Sequence, residues 1–145
     1  MIEIGRLVPE DRARWQELFA GYNAFYEREL PQEQYDSSWR AFMDDTRVHA
    51  LGARLDGRLV GITHFLVHAS TTSADVCYLQ DLFTDPVARG RGVARTLIEA
   101  VTVWAKDREL SRVYWLTQEG NATARRLYDQ VAVNRGFIHY LIPLA

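Results

Sequence analysis

The sequence predicts an α+β fold: a mixed, mainly antiparallel central sheet with one parallel pair of strands, flanked by helices. Strand-forming runs linked by turn residues fill residues 48–84, which is typical of antiparallel neighbours. After residue 92 helical and strand-forming segments alternate, which indicates a parallel crossover. The 145 residues have the size of one ordinary domain, so we expect residues 1–145 to form a single domain.

The first 45 residues carry a short strand and two helical patterns. Residues 2–7 alternate like a strand, and Pro9 then opens a segment whose large apolar residues recur at helical spacing. These residues are Trp15, Leu18, Phe19, Tyr22, Phe25 and Tyr26. The stripe favours a core-facing helix, with Tyr22 and Tyr26 as candidates for ligand contact. Residues 31–45 begin at a proline and predict a second, shorter helix.

A hairpin and a third strand follow. Residues 48–55 and 58–67 are rich in strand formers and are joined by Asp56 and Gly57, a pair that favours a two-residue turn with positive φ. Residues 76–84 make a third adjacent strand, which Pro86 ends because proline cannot continue a ladder. These three strands are expected to be antiparallel.

The remaining chain is predicted to alternate between helix and strand. Apolar residues from position 93 to 105 recur on one helical face. Residues 112–117 are apolar on both faces, as in a central parallel strand. Residues 121–131 predict another helix, and residues 137–142 a last strand before Pro143.

The composition bears on the class of protein. Hydrophobic residues make up 48% and charged residues 25%, as in soluble globular proteins. A net charge of -2 argues against a broad basic surface for nucleic acid. The single cysteine, Cys77, leaves no internal disulfide and fits a reducing cytoplasm. With no apolar run near the roughly 20 residues that cross a bilayer, we expect a cytoplasmic protein that binds neither membrane nor nucleic acid.

The segment between Thr84 and the next helix has the features of a phosphate-binding loop. Gly90 and Gly92 permit unusual φ values and close approach of a ligand, and a helix start attracts anions. Ala94 is small, and nearby arginines add positive charge: Arg89, Arg91 and Arg95. A Walker loop would need Gly-Lys-Ser/Thr, and a dinucleotide fingerprint would need glycine or alanine at Arg95. The loop therefore predicts a local diphosphate site of another kind.

Two motifs resemble those of the GNAT N-acetyltransferases. The residues similar to motif A are Asp85-Pro86 and Arg89-x-x-Gly92-x-Ala94. Those similar to motif B are Asn121-x-x-Ala124-x-x-Leu127-Tyr128 and Gly136-Phe137. The resemblance runs from about residue 48 to the C-terminus and is nearest to the branch that acetylates small amines such as polyamines and amino acids.

The resemblance implies acetyl-CoA as co-substrate, without a metal, in a cleft where strands 76–84 and 112–117 splay apart. It implies that backbone groups of Leu82, Phe83 and Thr84 bond the pantetheine arm. It also implies pyrophosphate contacts from Arg89, Gly90, Arg91, Gly92, Val93 and Ala94. Asn121 would contact the cofactor from the facing side.

The resemblance makes Tyr128 the general acid, because it stands where the family has its tyrosine. A tyrosine of pKa about 10 can protonate a thiolate of similar basicity; packing of its helix on the sheet is the other interpretation. The base stays open. The acidic residue common in the small-amine branch is replaced by Gln80, which leaves Asp81, another residue or a water chain. In a regular strand Gln80 and Asp81 face opposite sides, although a bulge would alter this.

Three functional hypotheses remain open. The protein acetylates a small amine, or it acetylates a lysine or N-terminal amine on a protein, or it is a non-catalytic acyl-CoA-binding module. Acidic residues in the N-terminal region would attract a cationic amine or merely form a solvated surface. They are Glu27, Glu29, Glu33, Asp36, Asp44 and Asp45. His64 and His68 share a strand face about 13 Å apart, too far for one metal. Exposed sheet edges and many aromatic residues favour a homodimer.

Overall fold

The computed structural model describes residues 1–145 as two compact units, Met1–Tyr114 and Trp115–Ala145. The elements of the first unit are β1 (Ile2–Arg6), α1 (Arg12–Phe25), α2 (Gln32–Asp44), β2 (His49–Leu55), β3 (Arg58–His68), β4 (Val76–Thr84), α3 (Val93–Asp107) and β5 (Val113–Tyr114). Short 3-10 turns span Pro9–Asp11 and Pro86–Ala88. The second unit contains one helix, α4 (Ala122–Val131). None of the helices combines the length and apolar character needed to span a membrane.

The sheet of the first unit has five strands in the order β1-β2-β3-β4-β5. The first four pair antiparallel, and β4 pairs parallel with β5. The β2–β3 turn has positive φ at both central residues, 53° at Asp56 and 81° at Gly57, as the dipeptide predicts. The α+β class, with a mainly antiparallel sheet and one parallel pair, is therefore confirmed.

The sheet carries a hydrophobic cluster on each face. On the α1 and α2 side the buried residues are Leu7, Trp15, Leu18, Phe19, Tyr35, Trp39, Phe42, Ala50, Leu59 and Ile62. On the α3 side they include Ala53, Val60, Ala88, Val93 and Leu97. The aromatic stripe of α1 is core at Trp15 and Phe19, whereas Tyr22 is half-buried and Phe25 is exposed.

Two expected strands differ from the structure. The strand predicted at 112–117 is limited to Val113–Tyr114. The last strand predicted at 137–142 is wrong, because these residues are irregular, and Phe137 is 90% exposed. An apolar run becomes a strand only when a neighbouring strand supplies its ladder hydrogen bonds, and the second unit contains no strand.

Candidate active site

The loop between β4 and α3 has an open backbone. Gly90 and Gly92 have φ of 82° and 81°, and a Cβ at either would have no atom within 4 Å. Gly92 precedes α3, and no side chain caps the first turn of that helix. Free amides and the positive end of a helix dipole suit an anion. The local structure thus fits the diphosphate that the loop predicts.

Asp85 fixes the start of this loop. Its carboxylate accepts hydrogen bonds from the Arg14 guanidinium and from the Val87 N–H, the latter at 3.1 Å. The hydrogen bond from Arg14 lowers the pKa of Asp85, against the opposing effect of burial. Because Arg14 lies on α1 and also donates to the Leu59 carbonyl at 2.9 Å, these contacts join α1, β3 and the loop.

The C-terminal half of β4 has one edge without a strand partner. β5 pairs with β4 only at Cys77↔Val113 and Tyr78↔Tyr114. Beyond Tyr78, β4 continues to Thr84 paired only with β3. Leu82, Phe83 and Thr84, the residues predicted to bond a pantetheine arm, lie on this stretch. Their backbone edge can accept an extended ligand as a strand would be accepted.

A β-bulge at Gln80 decides which way Asp81 faces. His64 pairs with Asp81 and the next residue, Phe65, pairs with Leu79, so Gln80 is an extra residue in β4. Gln80 is exposed, while Asp81 shares the α1 and α2 face with His64. A regular strand would have put Leu79 and Asp81 on one face. The bulge places the carboxylate next to the aromatic cluster.

Asp81 is one end of a buried polar chain. Trp15 Nε1 donates to His64 Nε2 at 2.9 Å, and His64 Nδ1 lies 2.9 Å from Asp81 Oδ2. The indole N–H is only a donor, so the bonding assigns the imidazole proton to Nδ1, which donates to the carboxylate. Sequence reasoning missed this chain, because its members are 49 and 17 residues apart.

Tyr22 lies next to Asp81, at the partly exposed end of this polar chain. Burial raises the pKa of its phenol, and the charge and hydrogen bonding of the neighbouring Asp81 carboxylate raise it further. The Tyr22 ring contacts Tyr26 at 5.0 Å and Phe83 at 6.4 Å between centroids. The guanidinium carbon of Arg28 lies 5.6 Å from the Tyr22 ring centre and 5.3 Å from that of Tyr26. Asp81 therefore borders a partly open aromatic site.

A groove of about 500 Å³ adjoins this site between α1 and the start of the loop. Gly21 and Phe25 line it from α1, and Phe83 and Arg89 line it from the other side. The Arg89 guanidinium carbon lies 5.8 Å from the Phe83 ring centre. Basic and aromatic groups thus continue from the loop toward Tyr22, which contacts the same Phe83 ring.

The histidines of β3 have separate partners. His64 belongs to the chain with Trp15 and Asp81, whereas His68 Nε2 lies 2.9 Å from the Tyr114 hydroxyl. Tyr114 stacks on Tyr78 with centroids 4.9 Å apart. The two rings contact at the point where the parallel pairing ends.

The second unit contains the two remaining predicted site residues. Asn121 directly precedes α4, and its Nδ2 donates to Thr117 Oγ1 at 3.1 Å. Tyr128 lies within α4, with its ring 5.4 Å from the Trp115 ring between centroids. The helix predicted at 121–131 is present as Ala122–Val131, so both residues belong to one short helical segment.

Comparison with known proteins supplies the family. The model of the acetyltransferase (GNAT) family matches residues 15–132. The D-amino-acid N-acetyltransferase HPA3 of Saccharomyces cerevisiae is 31% identical over 144 residues, 96% of this chain and 89% of that protein.

Solved structures agree in fold. A crystal structure of ribosomal-protein-alanine N-acetyltransferase from Brucella melitensis biovar Abortus 2308 is 25% identical, with a TM-score of 0.82 and full coverage of both chains. Aminoglycoside N-acetyltransferase AAC(6')-Iy in complex with CoA is 17% identical, with a TM-score of 0.87 over 100% of this chain and 96% of that one. On the family match and the relative at 31% identity, the chain belongs to the GNAT family of acetyltransferases and is an N-acetyltransferase.

Proposed function

We propose that this protein transfers an acetyl group from acetyl-CoA directly to the primary amine of a small molecule, either a polyamine or an amino acid. One observation carries the proposal: the stretch of β4 that β5 leaves without a partner contains Asp81 and leads into the glycine loop. The HPA3 relative, whose name states that it acetylates D-amino acids, supports a small acceptor.

Acetyl-CoA supplies the acetyl group as a thioester. We assign its pyrophosphate to the loop from Arg89 to Ala94, where the open glycine backbone meets the start of α3. We assign its pantetheine arm to backbone groups of Leu82, Phe83 and Thr84. Asn121 is assigned to the cofactor by the resemblance of its motif. The likeness to a structure in complex with CoA is consistent with these assignments.

Asp81 is proposed to bind the incoming ammonium and to take its proton. The carboxylate is partly accessible, at 13% of its side-chain surface, and accepts from His64. Trp15 donates to the other ring nitrogen of His64 and so fixes the imidazole, which in turn fixes the orientation of the Asp81 side chain. Transfer of the proton to Asp81 frees the nitrogen lone pair for attack on the thioester carbonyl.

Tyr128 is proposed to complete the reaction as the general acid. When the amine nitrogen bonds to the acetyl carbon and the carbon–sulfur bond breaks, the Tyr128 hydroxyl gives its proton to the departing sulfur. The support for this role is its motif position and its setting within α4 beside Trp115.

Two other functions have specific grounds. The likeness to a ribosomal-protein-alanine N-acetyltransferase favours a protein N-terminus as acceptor, and a lysine side chain is a related choice. Glutamine at position 80 favours a module that binds acyl-CoA without chemistry. The Asp81 side chain is only partly exposed and lies beside aromatic side chains. This favours a small amine over both a protein acceptor and a non-catalytic module.

The proposed function is tested by measuring CoA release with polyamines, amino acids and basic peptides, using wild type and Tyr128→Phe. Wild type should have its highest kcat/KM with a polyamine or an amino acid. The phenylalanine variant should lose about 100-fold in kcat or more, with the Kd for acetyl-CoA within twofold, because only the proton donor is removed.

Each alternative has its own signature in this assay. Turnover only with peptides would replace the small amine by a protein acceptor. Acetyl-CoA binding without turnover on any amine would leave a binding module. Unchanged turnover in Tyr128→Phe would remove Tyr128 from the mechanism while leaving acetyl transfer intact.

A further inference from the structure

Two backbone hydrogen bonds at the C-terminal end of α1 fix the backbone position of Arg28. Glu27 adopts φ of 56°, its N–H donates to the Ala24 carbonyl at 3.0 Å, and the Arg28 N–H donates to the Asn23 carbonyl at 2.8 Å. This pair of bonds is a Schellman motif, with Arg28 as the residue that folds back on the helix. Such motifs usually place an apolar residue there. Here a guanidinium covers Tyr22 and Tyr26 instead.

The motif is anchored in the core. Asn23 is 2% exposed and its Nδ2 donates to the Tyr35 hydroxyl at 3.3 Å. Because the carbonyl that Arg28 bonds belongs to this buried residue, the backbone position of Arg28 is set by the core. The guanidinium itself is exposed and lies over half-buried rings. Its position is thus defined although it faces solvent.

Arg28 has no carboxylate partner. The arginines in the salt bridges of the molecule are Arg6, Arg12, Arg14 and Arg54. Glu27 and Glu29 flank Arg28 in sequence, are exposed and form no salt bridge with it. A held but unpaired guanidinium is a binding group for an anion, with a planar fork that matches a carboxylate.

An unpaired cation and a carboxylate therefore both lie close to one tyrosine, Tyr22. Both charges act on the Tyr22 phenol, since Asp81 raises its pKa and Arg28 lowers it. The Arg28 guanidinium carbon is 5.6 Å from the Tyr22 ring centre, and Asp81 neighbours the hydroxyl of the same ring. A small substrate that packs against Tyr22 is therefore near a positive group at the ring and a negative group at the hydroxyl.

We propose that Arg28 binds the carboxylate of an α-amino acid whose ammonium group contacts Asp81. The inference rests on the proposed function and narrows its acceptor from amines in general to amino acids. An α-amino acid separates its nitrogen and carboxyl carbon by about 2.5 Å. Charge-assisted hydrogen bonds add about 2.8 Å at each end. The molecule can therefore bridge a carboxylate and a guanidinium about 8 Å apart.

The same arrangement disfavours polyamines. A diamine bound at Asp81 through one nitrogen would direct its second ammonium group toward the Arg28 guanidinium, and like charges repel. Arg28 is thus a specificity residue: it should improve binding of acceptors with a carboxylate, weaken binding of diamines and polyamines, and leave binding of monoamines unchanged.

The test compares each amino acid with the amine that lacks its carboxylate, for example phenylalanine with phenethylamine. Arg28→Met removes the charge but keeps an unbranched side chain that can pack on the tyrosine rings. It should raise the KM for amino acids by roughly 10- to 100-fold, the loss expected for a charged hydrogen-bonded contact. The kcat/KM for the matching amines should stay within twofold of wild type.

Arg47→Met is the matched control, because Arg47 is also exposed and forms no salt bridge, and its loss changes the net charge equally. Arg47→Met should leave the KM for amino acids and the kcat/KM for the matching amines unchanged. Thermal unfolding of the two variants verifies that the first still folds. An equal loss on amino acids and amines in Arg28→Met, or no loss on either, would overturn the inference.

The wild-type profile separates failure of the inference from failure of the proposed function. Equal or better kcat/KM for phenethylamine or spermidine than for amino acids would refute the Arg28 site and leave acetyl transfer to small amines standing. Absence of CoA release with every amine would overturn both.

Discussion

The two faces of the sheet are built in different ways. On the α3 face, apolar side chains pack closely and the candidate binding feature is backbone, the loop with Gly90 and Gly92 leading into the helix. On the α1 and α2 face, a polar chain runs through an aromatic cluster and ends at Asp81. The proposed cofactor side depends on local chain geometry, whereas the proposed acceptor side depends on side chains brought together from distant positions.

This difference has a chemical reason. A diphosphate is the same in every reaction of acetyl-CoA, and backbone amides beside a helix start are sufficient to bind it. An acceptor amine differs between enzymes and needs particular side chains at particular positions. Variation is therefore expected on the α1 and α2 face, and substitutions on the two faces should impair different steps.

The largest expected effect is on the acceptor face. Asp81→Asn keeps the size of the side chain and an oxygen that can accept from His64, but removes the charge and the proton acceptor. We expect kcat/KM for the amine to fall by about 100-fold or more, with the Kd for acetyl-CoA within twofold. Steady-state kinetics and a direct binding measurement check both values.

Gln80→Ala is the control, because Gln80 is the exposed bulge residue beside Asp81. It should retain most activity. If the alanine variant loses more activity than Asp81→Asn, the base lies elsewhere and the functional distinction between the two residues is wrong.

A second prediction concerns the stability of the polar chain. His64→Leu leaves the Trp15 N–H without its partner and removes one hydrogen bond to the Asp81 carboxylate, in a site where His64 is 3% exposed. Unsatisfied buried polar groups should lower the free energy of unfolding by about 3 kcal/mol, as measured by urea denaturation.

His68→Leu provides the matched change on the same strand, at a half-buried position with one hydrogen bond to Tyr114 and one to the Ala69 carbonyl. It should cost about 1 kcal/mol or less. Equal losses in the two leucine variants would mean that the polar chain of Trp15, His64 and Asp81 stabilises the fold no more than the hydrogen bonds of His68 do.

The smallest expected effects come from adding a methyl group at a glycine on each face of the sheet. An added Cβ at Gly61 would lie 2.6 Å from Val93 Cγ1, on the first residue of α3. At Gly52 it would lie 2.6 Å from Leu59 Cδ1 on the other face. Gly61→Ala should cost about 1–3 kcal/mol and weaken acetyl-CoA binding several-fold, because it displaces the start of α3. Gly52→Ala should cost less, since a leucine methyl can move, and should leave acetyl-CoA binding unchanged.

Gly5→Ala on β1 is the reference, because a Cβ there has nothing within 4 Å. Thermal unfolding and acetyl-CoA titration of the three variants give the comparison. Equal weakening of acetyl-CoA binding by Gly61→Ala and Gly52→Ala would show that the loop is not tied to one face.

Much of the architecture could be predicted because its signals are local. Asp56 and Gly57 specify a two-residue turn, and the spacing from Val93 onward specifies a one-faced helix. The strand predicted at 137–142 failed for the opposite reason: a strand depends on its neighbour, and no local pattern reveals whether that neighbour exists. The role of Tyr128 stays a prediction, based on its motif.

The sequence by itself determined the glycine loop, the strand before it and the helix after it, because glycine φ preferences and helix starts act over a few residues. Only the tertiary structure decided the arrangement of the proposed acceptor side. The bulge at Gln80 turns Asp81 toward His64, and the end of α1 brings Arg28 over Tyr22. Strand register and helix-end packing depend on contacts between distant segments, so no short pattern could have specified that both charges lie next to Tyr22.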